Sequence, residues 1–246
     1  MSNTRSSVDL DRRTRRILRA FDKNVSRYNR ALETRFDARS REDIVAAARA
    51  KLQELAGEIP YGGQDRNPMA ENIIGPYTFL SFALVLRERG FTTEEIGEFV
   101  HTSYTTPFSW LPRWVVRRLR RPMFWLKFRR MAVVAENSQR REHPDEFVLA
   151  VPTPPLGADF ALEIRDCAVC KAFAKHGEQS VVPYVCATDD LMSDAFGLGL
   201  RRTGTRAVGA ECCDFVYEFD GKPVRLRDRY DLAQGKRLAA SRQRSG

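Results

Sequence analysis

Asp159-Phe-Ala-Leu-Glu-Ile-Arg-Asp-Cys-Ala-Val-Cys-Lys-Ala-Phe-Ala-Lys-His-Gly177 opens the stretch, continuing to Phe219, whose reading decides the fold. Phe160, Leu162 and Ile164 alternate with Ala161, Glu163 and Arg165, the period of two of a strand with one apolar face. Cys167, Cys170, Lys171 and Ala174 then share one face of a helix that Gly177 stops. After Pro183-Tyr-Val-Cys186, Thr188 is placed to cap a second helix, with Asp189 and Asp190 in its first turn. Gly197 and Gly199 end that helix. Leu200 to Ala207 and Cys213 to Phe219 read as a hairpin around Gly209. The stretch therefore predicts strand, helix, helix, strand, strand.

All five cysteines lie here: Cys167, Cys170, Cys186, Cys212 and Cys213. Cys167 follows a strand directly and Cys186 precedes the expected cap. A helix N-terminus stabilises a thiolate, which makes both candidates for nucleophile or ligand. The competing reading is that free cysteines fill core volume. Acids and an arginine threaded among five confined cysteines favour a site. The odd number argues for reduced thiols over a disulfide framework. C-x2-C at Cys167 lacks the second pair or the spaced histidines of structural zinc. A thioredoxin-type redox pair would leave the acids and the arginine unexplained.

Three blocks, Asp166-Cys-Ala-Val-Cys-Lys, Pro183-Tyr-Val-Cys-Ala-Thr-Asp189 and Arg202-Thr-Gly-Thr with Cys213-Asp-Phe215, occur in order, and Ser138-Gln-Arg-Arg-Glu-His-Pro144 precedes them. Together they resemble the L-2-amino-thiazoline-4-carboxylic acid hydrolase family. A looser likeness reaches back to Asn72-Ile-Ile-Gly-Pro. The doubled Cys212-Cys213 departs from the pattern; Cys213 is the match because Asp-Phe follows it. The resemblance implies a hydrolase opening a small cyclic C–N bond, such as that of a thiazoline carboxylate, in amino-acid or secondary metabolism. It also admits a relative that performs another cyclisation or ring opening in a biosynthetic pathway. A non-catalytic small-molecule-binding or thiol-sensing module is the rival class.

On that reading Cys167, Asp189, Cys213 and Asp214 are the catalytic candidates. Arg202, Cys170, Cys186 and Asn72 bind substrate, with Arg202 pairing its carboxylate. No cofactor is expected; Asp189 and Asp214 leave a divalent metal open. In a regular strand Cys213 and Asp214 point to opposite faces, so both serve one pocket only if a bulge re-aims one.

The remaining chain reads as helical before residue 145. The expected organisation is a flexible segment 1–10, a helical region 11–145, the cysteine-rich α+β region 146–222 and a basic, mobile tail 223–246. The fold class is α+β, a helical N-terminal part followed by the βααββ unit with a small antiparallel sheet. Ile17, Phe21, Val25, Tyr28 and Leu32 form one stripe of a helix from Asp11 to Phe36. Ser40-Arg-Glu-Asp43 reads as a capping box, Tyr77 to Arg89 as a helix buried on several sides, and Thr92-Thr-Glu-Glu95 as another cap.

Pro112 to Arg130 holds eight Arg or Lys residues and no acid, interleaved with Trp114, Trp125 and other apolar residues. Pro122 is expected to divide it into two short helices. Peripheral contact with anionic membrane, nucleic-acid binding and a packed helix with solvated arginines are its three readings, nucleic acid the least favoured. The formal net charge of +9 arises partly here. No apolar run approaches the ~20 residues that span a bilayer, and Met1 to Asp9 is no secretory signal, so a cytoplasmic location is expected. Nothing in the sequence fixes an oligomeric state.

Overall fold

The helix expected over Asp11 to Phe36 is two, α1 (Ser7–Asp22) and α2 (Val25–Leu32). Asn24 breaks it by donating its side-chain amide to the Ala20 carbonyl at 2.9 Å, the local competition with the helix ladder typical of asparagine. The molecule is known from a computed structural model that describes residues 7–60, 69, 72–104, 106 and 111–238. The next helix, α3 (Ala38–Leu55), is capped by Asp37 rather than Ser40; the carboxylate accepts from Ser40 N at 2.9 Å. Helix α4 (Ile74–Arg87) is apolar nearly all round and buried accordingly, Leu80, Phe82, Ala83 and Leu86 fully. Phe82 packs against the rings of Phe21, Tyr28 and Phe99. Helix α5 (Thr93–Ser103) starts at the expected capping box of Thr92 and Glu95.

Pro122 does not divide the basic segment. A single helix, α6 (Arg113–Ser138), runs through it. Pro122 is exposed, so the carbonyl that loses its donor faces water. The inner face holds the helix straight across that gap. Phe124 and Phe128 pack among Phe160, Phe196, Tyr217 and Phe219. Arg120, buried, donates to the carbonyls of Phe196 and Gly197 at 3.1 and 3.0 Å and pairs with Asp220. Tertiary contact outweighs local propensity here.

Strands β1 (Val148–Ala150), β2 (Phe160–Asp166), β3 (Leu198–Arg201) and β4 (Cys213–Phe219) form one antiparallel sheet in the order β1-β2-β4-β3. Helices α7 (Ala168–Lys175) and α8 (Val182–Phe196) lie between β2 and β3, which completes the expected βααββ unit and the α+β class. Strand β1 is an addition to it. The hairpin is shorter on its first arm than Leu200 to Ala207: β3 ends at Arg201. Only Gly197 (φ 62) stops α8; Gly199 lies in β3, where a Cβ would meet the Gly221 backbone at 2.7 Å.

Helix α8 begins at Val182, not after Cys186. Pro183 is tolerated in its first turn, so Cys186, Thr188, Asp189 and Asp190 lie in mid-helix. The register pairs Ile164 with Cys213, Leu162 with Phe215 and Phe160 with Tyr217 on the face that the helices cover. Glu163 and Asp214 pair on the opposite face. One apolar core runs from Ile17 through Leu80 and Phe128 to Tyr217. Arg87 of α4 reinforces it by donating to both oxygens of buried Glu178, at 3.0 and 2.9 Å.

The expected mobile tail does not begin at residue 223. Leu226, Tyr230 and Leu232 are buried against Ala187, and a short hairpin pairs β5 (Tyr230–Asp231) with β6 (Lys236–Arg237). Residues 239–246 lie outside the described residues. Among the described residues, no helix is long and apolar enough to cross a membrane.

Gly97 tests the packing of α5 on α8, because a Cβ there would overlap the Tyr184 ring at 2.2 Å. Helix propensity alone makes Gly→Ala stabilising by about 1 kcal/mol. Overpacking reverses the sign: Gly97→Ala is expected to destabilise by about 1–3 kcal/mol in urea denaturation. A stabilised variant would contradict this interface.

Candidate active site

Cys167 is the N-cap residue of α7, in extended backbone conformation. The Cys170 thiol, one turn on, donates to its sulfur and holds its pKa below the ordinary thiol value. The backbone N–H groups of Cys170 and Val169 act in the same direction, while burial and Asp166 oppose. Cys170 is pushed far up in turn, by that bond and by burial. Burial also raises Cys186, and Cys213 to about 12, although Cys213 Sγ accepts from Arg206 N at 3.1 Å. All four thiols are within electrostatic reach of one another. All five cysteines are free. Within the group, Cys167 is the thiol whose pKa is lowered.

Asp189 and Asp190 face this cluster from α8. Arg202, at the end of β3, is buried between them. It donates to Asp189 Oδ2 at 3.1 Å, to Asp190 Oδ1 at 2.6 Å and to the Cys186 carbonyl at 3.1 Å. Its guanidinium lies over the Phe215 ring, 5.4 Å from the centroid. Asp190 also accepts from Leu226 N at 2.8 Å. Burial raises the Asp189 pKa to about 6 against the attraction of Arg202, and Asp190 is raised for the same reason. Asp189 is enclosed by protein, yet its side chain remains 29% exposed.

Three further residues enter the field of Asp189 from outside the expected set. Tyr104 follows α5 and Tyr217 belongs to β4; burial first, then Asp189, raises both phenols. Lys127 projects from α6 and is half-buried. Burial lowers its pKa and Asp189 partly restores it. Among the described residues its ammonium makes no hydrogen bond or ion pair. The signal for Lys127 was its spacing: Phe124, Lys127, Phe128 and Met131 fall on one face. The surrounding arginines disguised it as one more solvated charge.

The geometry thus gathers Cys167, Cys170, Cys186, Cys213, Asp189 and Arg202. It does not gather Asp214, Asn72 or Cys212. Asp214 lies on the other face of β4, as the pleat requires, and accepts from the N–H groups of Thr203 and Gly204 at 2.9 and 3.0 Å. It shapes the loop after β3. Asn72 is exposed and donates to Met69 Sδ at 3.4 Å. Cys212 has Glu163, Asp214 and Arg165 as its charged neighbours, away from the cluster. Among the described residues no group of three or more His, Cys, Asp or Glu side chains is arranged to hold a metal ion.

Residues 118–217 match the model of the L-2-amino-thiazoline-4-carboxylic acid hydrolase family. That supports the resemblance read from the separate sequence blocks. The matched stretch begins inside α6 and ends in β4, so it contains Lys127, Asp189, Asp190, Arg202 and all four gathered cysteines. Helices α1 to α5, and with them Tyr104, precede it. No curated protein and no solved structure matches the chain.

A buried carboxyl whose pKa is raised has a definite stability signature. Between pH 3.8 and about 6, folded Asp189 keeps a proton that the unfolded chain has lost. Its contribution to stability is complete below the unfolded value and is lost as pH rises through about 6. Asp189→Asn is therefore expected to flatten the fall in stability across that interval, read by urea denaturation at a series of pH values. An unchanged slope would place an ordinary carboxylate at residue 189.

Proposed function

We propose that this chain is a hydrolase-like enzyme that opens a small cyclic C–N bond, with a thiazoline carboxylate as the substrate to test first. The observation that carries the reading is one cluster of side chains: Cys167, whose pKa the Cys170 thiol lowers, stands with Cys186 and Cys213, and Asp189, raised to about 6 by burial, lies beside those two. The family match over the same residues supports it.

The chemistry follows from the groups present. The Cys167 thiolate adds to the amidine-like ring carbon, and the C=N electron pair takes the Asp189 proton at the ring nitrogen. The electron pair of the exocyclic amino group then expels the ring nitrogen, which takes one amino proton and leaves as a primary amine; the ring is open and the carbon, now an imine, stays on the Cys167 sulfur. Water displaces the thiolate, with the Asp189 carboxylate accepting the proton that water loses. Lys127 pairs with the substrate carboxylate, because among the described residues its ammonium is the cation at this site without a hydrogen bond or ion pair. Arg202 was the residue expected for that role; with its terminal nitrogens engaged by Asp189, Asp190 and the Cys186 carbonyl, it acts as the positioning residue for Asp189.

Steady-state kinetics on L-2-amino-thiazoline-4-carboxylate test the scheme. A protonated Asp189 is required, so kcat/KM is expected to fall as pH rises through about 6. Cys167→Ser should lower kcat by roughly two decades or more, a hydroxyl without a neighbouring base being hardly ionised. Lys127→Met should raise KM by roughly one to two decades, the worth of a lost charge-assisted bond. Thermal melts of each variant separate folding from catalysis. Folded variants with undiminished turnover refute the site, and an inert wild type moves the chain to another ring or to a binding role.

A further inference from the structure

Helix α6 turns one face to the core and leaves the other uncovered. The buried row is Arg120, Phe124, Phe128, Met131 and Ala135. Opposite it, Leu119, Pro122, Leu126 and Val133 recur at spacings of three, four and seven, with Met123 beside them, so they form one outward stripe. Leu119, Leu126 and Val133 are 49%, 47% and 58% exposed. Water-facing positions of a soluble helix are rarely so apolar in a row. A second row runs alongside. Trp114 and Trp125 are 73% and 55% exposed and stand three turns apart. Each has an arginine one turn on, Arg118 and Arg129, and the Arg129 guanidinium lies 4.7 Å from the Trp125 ring centroid.

The charges of this face have one sign. The chain has no Asp or Glu from residue 99 to residue 135. Asp220 serves the inward edge, pairing with Arg117, Arg120 and Arg121. Arg118, Arg129 and Arg130, on the outer face, form no ion pair among the described residues. Asp or Glu on this face would repel an anionic surface; free arginines attract it.

We propose that the outer face of α6 docks on an anionic lipid surface, with the helix lying in the plane of the headgroups. From Trp114 to Val133 the patch is about 28 Å long at 1.5 Å per residue. Leu119, Leu126 and Val133 enter the acyl boundary, the two indoles sit at headgroup level, and the arginines meet lipid phosphates. The patch is a convex ridge of one helix, which suits a planar lipid surface. A second copy of the chain would bring the same positive charges against it. A nucleic acid would engage the arginines and leave the leucine stripe in water. This contact is independent of the ring-opening reading, because Lys127 lies towards the buried row, within one turn of Phe124 and Met131, and is no part of the patch.

Co-sedimentation of the full chain with vesicles tests it. Phosphatidylcholine vesicles containing phosphatidylserine should bind the protein, and pure phosphatidylcholine vesicles should bind it at least about tenfold more weakly. High salt should weaken binding to the acidic vesicles. Trp fluorescence should shift to the blue on binding. The double variants Leu119→Ser/Leu126→Ser and Arg118→Gln/Arg129→Gln alter exposed side chains only, so their thermal melts should match the wild type. Each should lose at least about tenfold in vesicle affinity. The proposal is overturned by absence of binding to acidic vesicles, or by binding that both variants retain. It is equally overturned if duplex DNA binds and vesicles do not, or if sedimentation velocity shows a dimer that the leucine variant dissolves and vesicles cannot compete with.

Discussion

One guanidinium, that of Arg202, holds the α+β half of this molecule in working order. It follows the last residue of β3 and reaches across to α8, where it meets two carboxylates and a carbonyl. Removing it would leave two acids in a site of low polarity, a change of the kind that costs about 3–5 kcal/mol for a broken buried pair. The same residue organises the chain beyond the sheet. Asp190, fixed on one side by Arg202, takes the Leu226 N–H on the other, and so fastens the segment from Leu226 to Leu232 over α8. Two acids against one base also leave the hub a positive charge short. Asp189 is the more exposed of the two acids and so can exchange its proton with water. Its raised pKa is a consequence of the architecture: burial of the carboxyl outweighs the attraction of Arg202, and Asp190 beside it adds to the rise.

The cysteines gain their asymmetry in the same way. Four thiols share one region, but a cap geometry is available to one of them. Cys167 receives the thiol of Cys170 and the first N–H groups of α7, whereas Cys186 sits in the middle of α8, whose N–H groups are occupied by the helix ladder. Burial without compensating donors pushes Cys186 and Cys213 up. Sequence position therefore identifies four candidate nucleophiles, and local hydrogen bonding selects one.

Much of this was legible in the sequence where the signal was local. Strands β2 and β4, the stop at Gly197 and the capping box of α5 follow from alternation and turn chemistry. The pleat of β4 already separated Cys213 from Asp214. Cys186 was misplaced because Pro183 was read as lying before a helix, although proline fits a first turn as well. Pro122 misled in the opposite sense: the contacts of Phe124, Phe128 and Arg120 that carry α6 past it are all long-range. Arg202 was recognisable as part of the site, but its employment depends on α8 folding back over β3. Lys127 had a readable periodicity, hidden by the like charges around it.

The helical half is more than an attachment to the matched segment. Tyr104, after α5, shares the field of Asp189, and Gly97 admits the Tyr184 ring of α8 at a distance no side chain would allow. Arg87 of α4 reaches Glu178 between α7 and α8, where the carboxylate is almost wholly buried. Helices α4 and α5 therefore determine where α7 and α8 stand, and those two helices carry Cys167, Cys186 and Asp189. The sheet supplies Arg202 and Cys213 from its covered side, and α6 supplies Lys127. Groups from five elements must keep their relative positions for the thiols, the acid and the cation to stay together. The match covering residues 118–217 is thus embedded in a core extending back to Ile17: the gathered side chains are concentrated in the matched stretch, and their geometry is maintained from both sides.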